Sequence, residues 1–152
     1  MKNTLRVLSA AVLLAAGGLA SAADSSTLNV SANVMGNCKI TGTAPVSFGS
    51  LDPAVATDVS ANGSVTFWCT KSASYTLALN SGSNALLTQK RMKGPGATDF
   101  ISYALTPAST AGVGQGKSTP IVVSVAGLVT AAAFADAATG AYTDAVTVNI
   151  TP

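Results

Sequence analysis

Carboxylates are the obvious place to look for chemistry. The chain has 152 residues and six acidic side chains, Asp24, Asp52, Asp58, Asp99, Asp136 and Asp144, with no glutamate and no histidine. A pair of aspartates can do acid–base work, but without histidine neither a Ser-His-Asp set nor the usual metal cluster can be assembled. Asp52, Asp58, Asp99, Asp136 and Asp144 all lie in or next to turn-like sequence, where aspartate serves local backbone hydrogen bonding. No catalytic, metal-ligating or cofactor-binding residue is assigned, and an enzyme is not expected.

Two other stretches invite a chemical reading. Ala111-Gly112-Val113-Gly114-Gln115-Gly116-Lys117-Ser118 fits a relaxed phosphate-binding loop with alanine in the first glycine position. Such a loop needs a helix N-terminus behind it. Here Thr119-Pro120 leads into the β-branched run Ile121-Val122-Val123, which predicts an inter-strand loop and no nucleotide. Lys90-Arg91-Met92-Lys93 is a short basic cluster beside Gly94-Pro95-Gly96, and a solvated loop is expected there.

Cys38 and Cys69 are the only cysteines. Residues 1–22 read as an export signal, with Lys2 and Arg6 before the apolar run Val7 to Leu19 and Ala20-Ser21-Ala22 as a cleavage site. That run is too short to cross a bilayer as a helix. An oxidising compartment and an even count favour one Cys38–Cys69 disulfide. Closing a loop of about 30 residues stabilises the fold by roughly 3–4 kcal/mol in the chain-entropy model. After removal of the signal, six basic residues balance six aspartates. The net charge of zero argues for no nucleic-acid partner and tolerates self-association.

The elements that must position these residues read as strands. Thr27 to Val34 alternates, with Leu28, Val30, Ala32 and Val34 on one face and Thr27, Asn29, Ser31 and Asn33 on the other. Thr43 to Ser60 is rich in Pro, Gly, Ser and Asp, with an apolar knot at Val46 to Leu51 bracketed by Pro45 and Pro53, suited to a loop or short edge strand. Asn62-Gly63 signals a turn before the strand Ser64 to Thr70, whose Val65, Phe67 and Cys69 face the core. A four-residue connection to Tyr75 to Asn80 predicts a hairpin. Ser81 to Thr98 is expected as a long connection. Phe100 to Leu105 and Pro120 to Val125 resume strand character, and the alanine-rich Ala126 to Gly140 holds at most one helical turn. Tyr142 to Ile150 alternates again, with Tyr142, Val146, Val148 and Ile150 on one face. Trp68 and Phe100 sit on the faces opposite the core residues, either as contacts between subunits or packed under loops. Short strands between Gly, Ser, Asn and Pro loops describe an antiparallel β-sandwich.

The alternating run closing on Asn37-Cys38-Lys39-Ile40 is followed by Phe48-Gly49-Ser50-Leu51, Ser64 to Cys69, Tyr75 to Gly82, Arg91-Met92 and Ile101 to Leu105. The chain then closes on Gly140-Ala141-Tyr142-Thr143-Asp144-Ala145-Val146-Thr147-Val148-Asn149-Ile150. This order of features resembles the spore coat protein U domain family, whose members include subunits of archaic chaperone–usher pili. One departure is the stretch Thr106 to Gly112, where members often carry a Trp-Gly pair.

The resemblance implies an incomplete immunoglobulin-like antiparallel β-sandwich completed by a donor strand. It implies export through the periplasm, a periplasmic chaperone that fills the gap, an outer-membrane usher, and other pilus subunits as partners in a surface fibre. Residues 1–22 are then a removed signal, 23–36 a donor segment carrying Leu28, Val30, Ala32 and Val34, and 37–152 the body. Val146, Val148 and Ile150 form the edge strand of its acceptor groove and run almost to Pro152, leaving no residues for a further strand. The alternative is a monomeric secreted coat or surface-binding domain whose N-terminal strand folds back on itself, with Gly36-Asn37 as hinge.

Overall fold

A computed structural model describes residues 23–152; the expected export signal lies outside them. The chain divides into two units, with the boundary between Asn33 and Val34. In the first, residues 23–33 belong to no helix or strand and are exposed throughout.

The second unit, Val34–Pro152, holds eight strands and one short helix. The strands are β1 (Cys38–Ala44), β2 (Val59–Cys69), β3 (Ser74–Leu79), β4 (Lys90–Lys93), β5 (Phe100–Pro107), β6 (Ala111–Val113), β7 (Ile121–Val129) and β8 (Val148–Thr151), with the helix α1 (Ala131–Phe134) between β7 and β8. They form a five-stranded sheet in the order β1-β2-β7-β5-β4 and a three-stranded sheet in the order β6-β3-β8, with every pairing antiparallel.

Period-two alternation makes the core. Val65, Phe67 and Cys69 of β2 and Val123 and Val125 of β7 point inward from the larger sheet, Tyr75 and Leu77 of β3 from the smaller one, and all are buried. The Phe67 and Tyr75 rings meet edge to face at 4.9 Å between centroids, a favoured aromatic geometry. A second cluster, Ile101, Tyr103, Val129 and Phe134, closes the other end. The alanine-rich stretch, allowed at most one helical turn, holds one, and it swings Phe134 into that cluster. Asp58 supports it by accepting the Ala131 amide through Oδ1 at 2.9 Å.

Four expectations need correction. Asn62-Gly63 is no turn: both lie inside β2, opposite Ala126 and Val125 of β7. Glycine is needed there because the chain leaving β1 crosses overhead, and a Cβ would sit 2.6 Å from the Ala44 carbonyl oxygen. The segments β2 and β3 do not form a hairpin, since they belong to different sheets. Their inward residues face each other across the core instead of standing side by side, and Ser72 at φ 64° makes the sharp crossing. The basic cluster is a strand, β4, paired with β5. The last alternating run enters the ladder only at Val148, although Lys93 and Thr143 form an isolated bridge before it.

Candidate functional site

The motifs with chemical potential are absorbed into the scaffold. In the glycine-rich stretch, residues 111–113 form β6, and the Gly114 and Gly116 amides donate to the carbonyls of Ala73 (2.7 Å) and Cys69 (3.0 Å). Amides engaged in this way are not free to cradle phosphate, and the chain proceeds into β7, not into a helix. In the basic cluster, Arg91 Nε donates to the Asn84 carbonyl at 3.1 Å, its guanidinium lies 4.1 Å from the Phe100 ring centroid, and Lys90 Nζ donates to the Asn80 carbonyl. These cations hold the Asn80–Gln89 loop against the sheet. Phe100 is thus covered by cations. Half-buried Trp68 stands opposite Lys39 in the β1–β2 ladder.

Two aspartates, Asp52 and Asp99, bond locally as expected, whereas Asp58 and Asp144 bond to residues distant in sequence. Asp52 Oδ1 accepts the Ala54 amide, Asp99 Oδ2 accepts the Gly96 amide, and Asp58 supports α1. Among the described residues no three His, Cys, Asp or Glu side chains converge on a possible metal position.

Cys38 and Cys69 stand directly opposite each other in the β1–β2 ladder, 4.1 Å apart at Cα, and form the expected disulfide. The bond pins the start of β1, an edge strand held by one neighbour. Thr70 adds to this anchor: its Oγ1 accepts the Asn37 amide at 3.1 Å and lies 3.3 Å from the Met35 carbonyl, to which it can donate.

What the sheets leave open is a groove. Among the described residues nothing pairs with the outer edge of β1 or of β8. The two edges approach each other at the end marked by Cys38 and Pro152, where a Cβ on Gly36 would touch Pro152 at 3.8 Å. Further along they part around a cavity of about 360 Å³. Ala44 and Val46 form one wall, Val146 and Val148 the other, and Val65, Leu105 and Val125 the floor. A second hollow of about 760 Å³ shares Val46, Phe48 and Tyr142 with the first and extends it towards Phe134.

Burial shows the same deficit. The inward residues of β2 from Gly63 onward and of β7 from Val123 onward are buried, whereas Tyr142, Asp144, Val146, Val148 and Ile150 all remain half-exposed. Val148 and Ile150 lie in β8, and Val146 two residues before it. Leu28, Val30 and Val34 are 86%, 87% and 80% exposed, and Ala32 is also exposed. No residue from 23 to 37 is in a strand.

One feature of the groove escaped sequence reasoning. Asp144 occupies an inward position of the alternating run, and with Tyr103 it lines the groove. Tyr103 O–H donates to Asp144 Oδ2 at 2.6 Å, while Asp144 Oδ1 accepts from the backbone N (3.1 Å) and Nδ2 (2.9 Å) of Asn84. Burial, then the hydrogen bond to Asp144 and its charge, push the Tyr103 phenol well above the ordinary tyrosine range. A charged residue in phase with Tyr142, Val146 and Val148 was the available signal.

A family model described as the Spore Coat Protein U domain matches residues 24–149. Protein U of Myxococcus xanthus is 31% identical over 177 aligned positions, spanning 99% of this chain and 98% of that protein. Among solved structures, similarity is found to a chain of the CsuC–CsuE chaperone–tip adhesion subunit pre-assembly complex from the archaic chaperone–usher Csu pili of Acinetobacter baumannii. The identity is 23% and the TM-score 0.49 over 77% of this chain, which spans 40% of that one.

Proposed function

Because the chain belongs to the Spore Coat Protein U domain family, we propose that it is a structural subunit of an extracellular chaperone–usher fibre, built by exchange of N-terminal strands between copies. The observation that carries this reading is the pairing of a surplus with a deficit. Residues 27–34 have the alternation of a half-buried strand and lie in no sheet. Among the described residues, the edges of β1 and β8 that flank the apolar groove are unpaired.

An open sheet edge beside an apolar groove is an aggregation hazard, and strand addition from another chain satisfies it. Burying Leu28, Val30 and Val34 stabilises the joint by about 1.5–3 kcal/mol each. Backbone hydrogen bonds along one edge contribute about 0.5–1.5 kcal/mol apiece. Before assembly the groove needs a temporary occupant, the role of a periplasmic chaperone, and an outer-membrane usher is where the exchange takes place. The fibre serves adhesion or biofilm formation at the cell surface.

The deciding experiment compares residues 23–152 with a variant in which 23–34 is moved behind Pro152 on a flexible linker. The relocated strand fills its own groove and gives a stable monomer, while the unaltered chain polymerises or requires a chaperone. An unaltered chain that is already a stable, non-polymerising monomer selects the self-complementing secreted domain instead.

A further inference from the structure

We infer that the turn before β4 docks on an anionic lipid bilayer. Leu86 and Leu87 enter the apolar layer, and the positive charge of β4 holds the turn to the headgroups.

The turn itself is strained and exposed. Leu86 and Gln89 exchange both backbone hydrogen bonds, each 3.0 Å, across the two central residues Leu87 and Thr88. In such a tight turn a positive φ at the first central position is usually taken by glycine, yet here it belongs to Leu87, at φ 55°. The side chain gains nothing from the body in return. Leu87 is 91% exposed, more than any other large apolar side chain among the described residues, and Leu86 beside it is 58% exposed. Backbone strain and bare apolar surface both count against the folded monomer, which directs attention to something outside it.

The base of the turn is firmly held. Asn84 Nδ2 donates to Asp144 Oδ1 at 2.9 Å, Arg91 Nε to the Asn84 carbonyl at 3.1 Å, and Gln89 Nε2 to the Tyr103 carbonyl at 3.0 Å. An apolar tip on a fixed support loses little freedom when it docks.

Area and charge select the partner. A specific protein interface buries about 1,000 Å² or more, far beyond what two leucines offer. A bilayer needs no shaped counterpart, since it takes up apolar side chains wherever they project into it. From Ser81 to Thr98 the chain has three positive side chains and no negative one. All three lie in β4, Lys90, Arg91 and Lys93, beginning directly after Gln89. Basic residues beside an insertion point are drawn to anionic headgroups. One tip binds weakly; a fibre would repeat it along its length and raise the overall affinity without any new contact.

Flotation of residues 23–152 with vesicles tests this, using phosphatidylcholine alone and phosphatidylcholine mixed with phosphatidylglycerol. The chain should float with the mixed vesicles. Leu87→Asn keeps the turn, because asparagine tolerates positive φ, and should weaken binding about tenfold with a urea midpoint unchanged or higher. Lys93→Gln should weaken binding to the mixed vesicles about fivefold and leave binding to phosphatidylcholine alone as it was. No flotation of the wild type, or equal flotation of wild type and Leu87→Asn, overturns the inference. Equal binding to both vesicles overturns the choice of an anionic surface. A lowered urea midpoint for Leu87→Asn would make Leu87 a support of the body and overturn it too. Unchanged flotation with slower fibre assembly would assign the tip to a contact between copies instead. Residues 23–152 carry the tip whether they stay monomeric or polymerise, so failure here leaves strand exchange untouched.

Discussion

At the residue scale, the side chains of most consequence divide into those that stabilise the body and those that the body leaves unused. Val30 is of the second kind, 87% exposed. Val30→Ala should therefore leave the melting temperature of the monomeric body within a degree, yet accelerate fibre dissociation in denaturant roughly tenfold, the equivalent of about 1.5 kcal/mol of lost burial. Tyr103 is of the first kind, 7% exposed, with its hydroxyl on Asp144. Its folded-state phenol titrates above the unfolded value, so its contribution is complete below about pH 10 and is lost as the pH rises beyond that, when only the unfolded chain gives up its proton. Urea midpoints at pH 8 and pH 11 should fall further for the wild type than for Tyr103→Phe, although the variant starts lower for want of the hydrogen bond to Asp144. Asp144 shows how far single residues were legible. Turn-like neighbours suggested local bonding, but its partners, Asn84 and Tyr103, are distant in sequence, and its inward phase made it part of the groove.

At the scale of elements, alternation identified the strands and misled about their partners. Val65, Phe67 and Cys69, with Tyr75 and Leu77, were legible as core residues because period two fixes a face. That pattern does not say whether two neighbouring strands share a sheet, and here Ser72 takes the chain across to the other one. Asn62-Gly63 carried a turn signature whose cause was tertiary, the crossing of Ala44 over Gly63. Gly63→Val should cost about 1–3 kcal/mol by pushing that crossing away, seen as a lowered urea midpoint. The disulfide was legible from compartment and count, and its place follows from the ladder, where Cys38 and Cys69 face each other. Replacing both by alanine removes roughly 3–4 kcal/mol and should lower the melting temperature by roughly 10–15 °C. Because β1 is a wall of the groove with one neighbour, the same variant should bind a donor peptide of residues 24–36 more weakly even at temperatures where it is folded.

At the scale of the whole molecule, an absent strand is harder to read than a present one. The alternation of Tyr142 to Ile150 said that this run has an inward face; it could not say that the face is only half covered. That emerges from geometry, in the parting of β1 from β8 and in the contrast between half-exposed Val146 and buried Val125. The forces available to a joint there are apolar burial and edge hydrogen bonding, since residues 23–152 carry six positive and six negative side chains and Leu28, Val30, Ala32 and Val34 carry none. Charge steering would make association fall steeply with ionic strength. Burial without steering predicts instead that the assembly rate of residues 23–152 changes by less than about twofold between 0.05 and 0.5 M salt, a range over which the Debye length shrinks from about 14 to about 4 Å. Calorimetry of donor-peptide binding should show a negative heat-capacity change, the mark of apolar surface leaving water. A steep salt dependence with no heat-capacity change would locate the joint on the basic strand β4, away from the groove.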